Sequence, residues 1–250
     1  TTPHDQSSAA SDVYKRQSVD RMKMTVTNTD ELAFAQKQTS DGPDGFNKCF
    51  EFDVTTAESA LAVDEIVYMR YAVEGQDLKP FFNSNGSGKN FTLSFYVKAY
   101  QTGTYQVSIY KGFNVARFIS ATYTVTSSGT WQRVVLNFTG DTGTSGIPGD
   151  NTSGFLIDFK LGAGTNYTSG TPVTSWGGFS NAVFASGQAV NVLSSTDNYW
   201  RITGIQLEVG SVVTPFEHRS FADELMRCYR YFYGPTGEGL FGVGRTTNAS

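Results

Sequence analysis

Leu93, Phe95 and Val97 alternate with Ser94, Tyr96 and Lys98, and this two-residue rhythm recurs along most of the chain. Alternation at that period places apolar side chains on one side of an extended strand and polar ones on the other. It predicts strands over residues 22–28 (Met22, Met24 and Val26 on one face), 46–55 (Phe50, Phe52, Val54), 66–73 (Val67, Met69, Tyr71), 92–99 and 103–111 (Tyr105, Val107, Ile109). It also predicts them over 115–125, 131–138, 154–161 (Phe155, Ile157, Phe159, Leu161) and 199–209 (Ile205, Leu207, Val209). Turns rich in Gly, Asn and Ser, such as Asn85-Gly86-Ser87-Gly88, separate them. A sheet with one apolar face needs a second sheet to cover it, so the pattern implies an all-β, antiparallel β-sandwich.

Composition narrows the function classes. Aromatic residues make up 14% of the chain and charged residues only 17%, with a net charge of -4. No Lys/Arg cluster supplies the basic face a nucleic-acid partner would need. Membrane insertion is equally disfavoured, because no apolar run approaches the roughly 20 residues that span a bilayer. The N-terminal residues lack the apolar core of a signal peptide. Cys49 and Cys228 are too far apart for a CxxC motif; they read as two thiols, with a disulfide as the alternative.

Organisation follows the same logic. Residues 1–18 are polar and aperiodic and read as a disordered or artefactual leader; Ser11–Gln17 resembles a translated sequencing-adaptor scar of metagenomic gene models. Residues 19–212 hold the sandwich, 213–234 a linker and helix, and 235–250 the start of a further β segment. Ser220 is placed to cap that helix with Asp223 at the capping-box position, and Phe221, Leu225, Cys228 and Phe232 form its apolar stripe. Two long connections, 140–153 and 163–196, interrupt the strands. The second carries Trp176, Phe179, Phe184 and Val190, and is expected to pack against the sandwich.

Catalytic signals are sparse. The histidines are His4 and His218, no Gly-x-Ser-x-Gly elbow is present, and Asn85–Lys89 joins two strands instead of opening a helix. Paired carboxylates suffice for a glycosidase, so a polysaccharide-degrading enzyme stays open as the weaker alternative. Sugar binding calls for aromatic rings beside polar groups on a rigid sheet. Strand parity puts Tyr96, Lys98, Tyr110, Arg133 and Asp158 on faces turned away from the core, and Tyr96, Tyr110 and Arg133 would share one polar surface. Trp176, at a loop tip, is a further ligand candidate. Asp41, Asp44 and Glu208 are candidate ligands for a structural calcium ion, the cofactor expected if any.

The chain also carries a family resemblance. Ile202-Thr203-Gly204-Ile205-Gln206-Leu207-Glu208-Val209-Gly210-Ser211 with Thr214-Pro215-Phe216-Glu217, Phe91–Lys98 followed by Thr102–Tyr105, and Val73–Gln76 resemble motifs of a jelly-roll domain of bacteriophage tail-fibre and related virion proteins. That domain is similar to carbohydrate-binding modules with a galactose-binding-like jelly roll. The resemblance implies a non-enzymatic adhesion or display module in a virion, released by host lysis. Its implied partners are a host cell-surface glycan, other virion proteins and further copies of the chain in a homotrimer assembled through the helix stripe. A purely structural fibre or capsid-decoration module is the alternative.

Overall fold

The computed structural model describes residues 22–143, 146–220, 222–223 and 225–226. The chain divides into two compact units, residues 1–215 and 216–250.

The first unit is an antiparallel jelly-roll β-sandwich. Its strands are β1 (Met22–Thr27), β2 (Ala33–Thr39), β3 (Cys49–Thr56), β4 (Ile66–Glu74), β5 (Phe91–Ala99), β6 (Gly103–Lys111), β7 (Arg117–Val125), β8 (Gln132–Phe138), β9 (Ser153–Ala163) and β10 (Tyr199–Val209). One sheet, called A here, has the order β1-β4-β9-β6-β7, and the other, sheet B, the order β2-β3-β10-β5-β8. Only β2–β3 and β6–β7 are hairpins between successive strands; the remaining connections cross from one sheet to the other.

The alternating residues meet between the sheets. Phe52, Phe95 and Trp200 from sheet B and Met69, Val107 and Phe159 from sheet A are fully buried in one core. Phe95 and Phe159 meet edge to face at 5.2 Å, and Phe159 packs against Trp200 at 5.9 Å. Burial of each such side chain contributes roughly 1.5–3 kcal/mol, so zipping the two faces together is the dominant stabilising term.

Strand β10 contains the one break that matters for the surface. Thr203 pairs with Tyr96 but Gln206 pairs with Ser94, so β10 carries an extra residue at a bulge. Gly204 sits there at φ +59, a conformation that disfavours side chains. The bulge resets the alternation. Ile202 is in the core on one side of it, and Ile205 and Leu207 pack against the core on the other.

After β9 comes the single-turn helix α1 (Thr165–Thr168) and a long irregular segment with two short 3-10 turns. In the second unit, Ala222–Asp223 and Leu225–Met226 are helical. The Asp223 amide donates to Ser220 Oγ at 3.2 Å and the Ser220 hydroxyl donates to the Asp223 carboxylate at 2.7 Å, the cap expected from sequence with a side-chain return bond. Of the proposed oligomerisation stripe, Leu225 is half-buried; Phe221, Cys228 and Phe232 lie outside the described residues. Among the described residues no helix is long and apolar enough to cross a membrane.

Candidate functional site

The two outer faces of the sandwich differ. That of sheet A is covered by residues 164–190. Phe118 and Gly177 exchange backbone hydrogen bonds of 2.9 Å, and the Ser120 amide donates to the Val173 carbonyl at 2.7 Å, so the segment docks along the exposed edge of β7. Phe184 plugs the face: it meets Tyr68 at 5.2 Å and Phe118 at 6.2 Å, and these residues form a second apolar cluster with Ile66 and Ala185. The Gln106 side chain donates to the Phe184 carbonyl at 3.0 Å. The expectation that Phe184 and Val190 pack on the sandwich holds, since both are buried.

This cover corrects the parity reading. Tyr110 lies on sheet A, half-buried with its ring 5.3 Å from Phe179. Asp158 is on the same face and completely buried. Neither shares a surface with Tyr96, because β5 belongs to the opposite sheet. Asp158 is instead the centre of a buried charge cluster. Arg70 grips it with two bonds, of 2.6 and 2.9 Å, and the Lys160 ammonium is 3.5 Å away. Lys160 is itself fully buried, 3.2 Å from the Phe184 ring centre and 4.7 Å from that of Tyr68. Burial pushes the Lys160 ammonium down to about 7, with Asp158 resisting the change.

On the outer face of sheet B, Glu51, Thr92 and Ser94 are buried, Tyr96, Lys98, Tyr199 and Arg201 are half-buried, and Lys37 and Arg133 are exposed. One row runs straight across it, because Lys37 pairs in register with Glu51, Glu51 with Arg201, and Arg201 with Lys98. Lys37 Nζ is 3.2 Å from Glu51 and 3.1 Å from Asp53, while Arg201 Nε is 2.9 Å from Glu51. Asp41, from the β2–β3 loop, gathers the other end of the row. It accepts from Lys98 at 2.9 Å, from the Trp131 ring N–H at 3.1 Å, and from Arg201. Burial alone would raise the Asp41 carboxyl, but the Lys98 ammonium, the Trp131 bond and Arg201 outweigh it and hold it below the ordinary value. The Arg201 guanidinium lies 4.4 Å over the Tyr199 ring.

The next row brings Thr203, Tyr96 and Arg133 into register. Tyr96 packs at 5.3 Å against Phe46, with the Arg133 guanidinium 5.9 Å above the Tyr96 ring. A side chain at position 204 would collide with this pair, its Cβ lying 2.7 Å from Phe46 Cζ and 3.0 Å from Tyr96 Cδ2. The bulge glycine is therefore what lets the two rings lie down on the sheet. Sequence reasoning found Tyr96, Lys98 and Arg133, which the fold brings together. It missed Trp131, Tyr199 and Arg201. Alternation set on Ile205, Leu207 and Val209 put the last two on the apolar side of β10; the bulge at Gly204 turns them outward.

Trp176 is an anchor for its loop. Its ring packs 5.9 Å from Phe155 and its N–H donates to the Thr139 carbonyl at 2.7 Å. Beside it the buried Lys111 ammonium sits 2.5 Å from Asp141, which Arg117 also contacts at 3.1 Å.

The proposed calcium ligands do not converge. Asp41 is occupied by Trp131, Lys98 and Arg201 near the start of β10, and Glu208 accepts from Thr214 near its far end; Asp44 is exposed. Another group does converge, from the loops at the β1–β2 and β3–β4 crossings. Carboxylate oxygens of Asp30, Glu58 and Glu65 all lie within 4.8 Å of one another. Glu58 and Glu65 are only 4% and 2% exposed, and each accepts one backbone N–H, from Glu31 and Ala62. Oxygen donors of this kind suit a hard divalent cation.

No family model matches the chain, and no curated protein matches it. Solved structures of similar architecture do. The enzymatically active domain of a bacteriophage CBA120 tailspike protein aligns over 82% of this chain and 21% of its own, with 13% identity and a TM-score of 0.41. A family 11 carbohydrate-binding module of a Clostridium thermocellum cellulosomal cellulase aligns over 80% of this chain and 94% of its own, with 10% identity and a TM-score of 0.41. Similarity at this level speaks to neither ligand nor activity.

Proposed function

We propose that the protein is a non-enzymatic adhesion module that binds a host surface glycan on the outer face of sheet B, as a component of a phage virion fibre. The observation that carries the binding site is the asymmetry of the sandwich: one outer face is roofed by its own chain, while the other presents Tyr96, Trp131 and Tyr199 among Lys98, Arg133 and Arg201. Flat rings beside fixed hydrogen-bonding groups suit the apolar C–H faces and hydroxyl rims of sugars. The virion setting rests on the motif resemblance at Ile202–Glu217. A homotrimer and other virion proteins are the partners it brings with it.

Glycan-array and titration measurements on the intact chain test the site. Tyr96→Ala combined with Trp131→Ala is expected to weaken glycan binding roughly tenfold or more, as loss of a central aromatic anchor does elsewhere, while leaving the thermal midpoint within a few degrees. Unchanged binding by the folded double variant would remove this face from consideration.

A structural calcium ion held by Asp30, Glu58 and Glu65 is part of the same proposal. Two buried carboxylates facing each other without a cation repel, so metal would stabilise the fold by binding the native state alone. Millimolar calcium added to chelator-treated protein is expected to raise the unfolding temperature, and Glu58→Gln to abolish that rise. A midpoint indifferent to both chelator and calcium would count against the ion.

A further inference from the structure

We infer that the ligand of the sheet B face is anionic: a glycan bearing carboxylate, sulfate or phosphate groups, received by Arg133 and Lys48 on either side of the Phe46–Tyr96 ring pair. This inference rests on the adhesion reading of that face and adds the charge class of what it binds.

The argument turns on which groups on the face are already spent. Apart from the exposed loop residue Asp44, its acids are engaged. The Glu51 side chain is 4% exposed and holds Lys37 and Arg201. Asp41 is 28% exposed and holds Lys98 and Arg201. Asp53, at 32%, holds Lys37. Glu208 is taken up by the Thr214 amide and hydroxyl. Little acceptor capacity is therefore turned outward towards sugar hydroxyls.

The donors are in surplus. Arg133 and Lys48 are exposed and form no ion pair among the described residues. Arg133 spends one N–H on the Thr214 carbonyl at 2.6 Å, leaving the rest of its five-donor fork. Glu208 senses the Arg133 charge only from beyond ion-pair distance. Lys48 gives one bond to Ser40 and is fixed beside Tyr96, since Thr203, the cross-strand partner of Tyr96, donates to the Lys48 carbonyl at 2.9 Å. A planar guanidinium resting over an aromatic ring and open at its rim is suited to bidentate capture of a carboxylate or sulfate. A neutral glycan would leave that fork facing water, and would find few acceptors for its own hydroxyls.

Matched probes decide the matter: oligogalacturonates against their methyl esters, and sialylated glycans against the same glycans desialylated, arrayed and then titrated in solution. The acidic member of a bound pair is expected to bind at least about tenfold more tightly at low salt, with the advantage shrinking as salt screens it. Arg133→Gln is expected to erase the preference, and Arg133→Lys to restore part of it. Equal binding of both members of a pair, sensitive to Tyr96→Ala, would overturn the anionic inference and leave the adhesion site standing. Binding of acidic glycans that Arg133→Gln and Lys48→Gln leave untouched would overturn it too. Capture of no glycan, acidic or neutral, would overturn both.

Discussion

Replacing Asp158 with Ala is expected to destabilise the sandwich by about 3–5 kcal/mol, the usual consequence of leaving buried charge without its partner. Asp158 is the only acid gripping Arg70 and Lys160 among the described residues. Lys160 has no exposure and no hydrogen-bond partner for its ammonium, so without the carboxylate only the Phe184 and Tyr68 rings face its charge. Adding Lys160→Met to the same protein should return part of the lost stability, because the stranded charge goes with it. Urea unfolding of the single and double variants measures both effects. A loss below about 1 kcal/mol for Asp158→Ala would show that water reaches the cluster and that residues 164–190 do not seal sheet A.

Stability should also climb with pH, and Lys160 should be the cause. Its folded-state value lies near 7, against an ordinary 10.5. Below about pH 7 the ammonium is charged in both states and the native state bears the full penalty of burying it. Above 7 the native state sheds the proton while the unfolded chain keeps it, so stability rises until pH passes the unfolded value. Cys49 opposes the trend: burial pushes its thiol up to about 11, so the unfolded chain loses that proton first. The clean window is therefore pH 7–9, where Lys160 should add on the order of 2 kcal/mol. Thermal or urea midpoints across that range check it. Lys160→Met should be more stable than the parent at pH 7 and should show a flatter profile; a parent midpoint that falls from pH 7 to 9 would contradict the assignment.

These charges also mark the limit of what the sequence discloses. Alternation told which side of most strands is apolar, and every strand predicted between residues 22 and 209 is present; the further β segment expected at 235–250 lies outside the described residues. Strand β2 escaped because Ala33–Thr39 offers one large apolar side chain, Phe34, between two alanines and ahead of Gln36-Lys37-Gln38; that ring docks on Phe52, at 4.8 Å. The bulge at Gly204 was equally hidden, although Ile202 and Ile205 on either side of a glycine are its trace. Parity assigns a face but not a sheet, which is why Tyr96 and Tyr110 looked like neighbours. Nor does it say whether a polar face meets water. Asp158 and Lys160 have the same spacing as Tyr96 and Lys98, and only the path of a segment whose own apolar residues were evident separates the sealed pair from the open one.

Radical footprinting of the intact protein with and without a bound glycan tests the open face most directly. Side-chain oxidation at Tyr96, Trp131 and Tyr199 is expected to fall when the glycan binds, while Tyr110 and Phe179 stay as they were. Protection that appeared on Phe179 and Tyr110, with Tyr96 and Trp131 unchanged, would place the ligand on the roofed side and contradict the assignment of sheet B as the binding face.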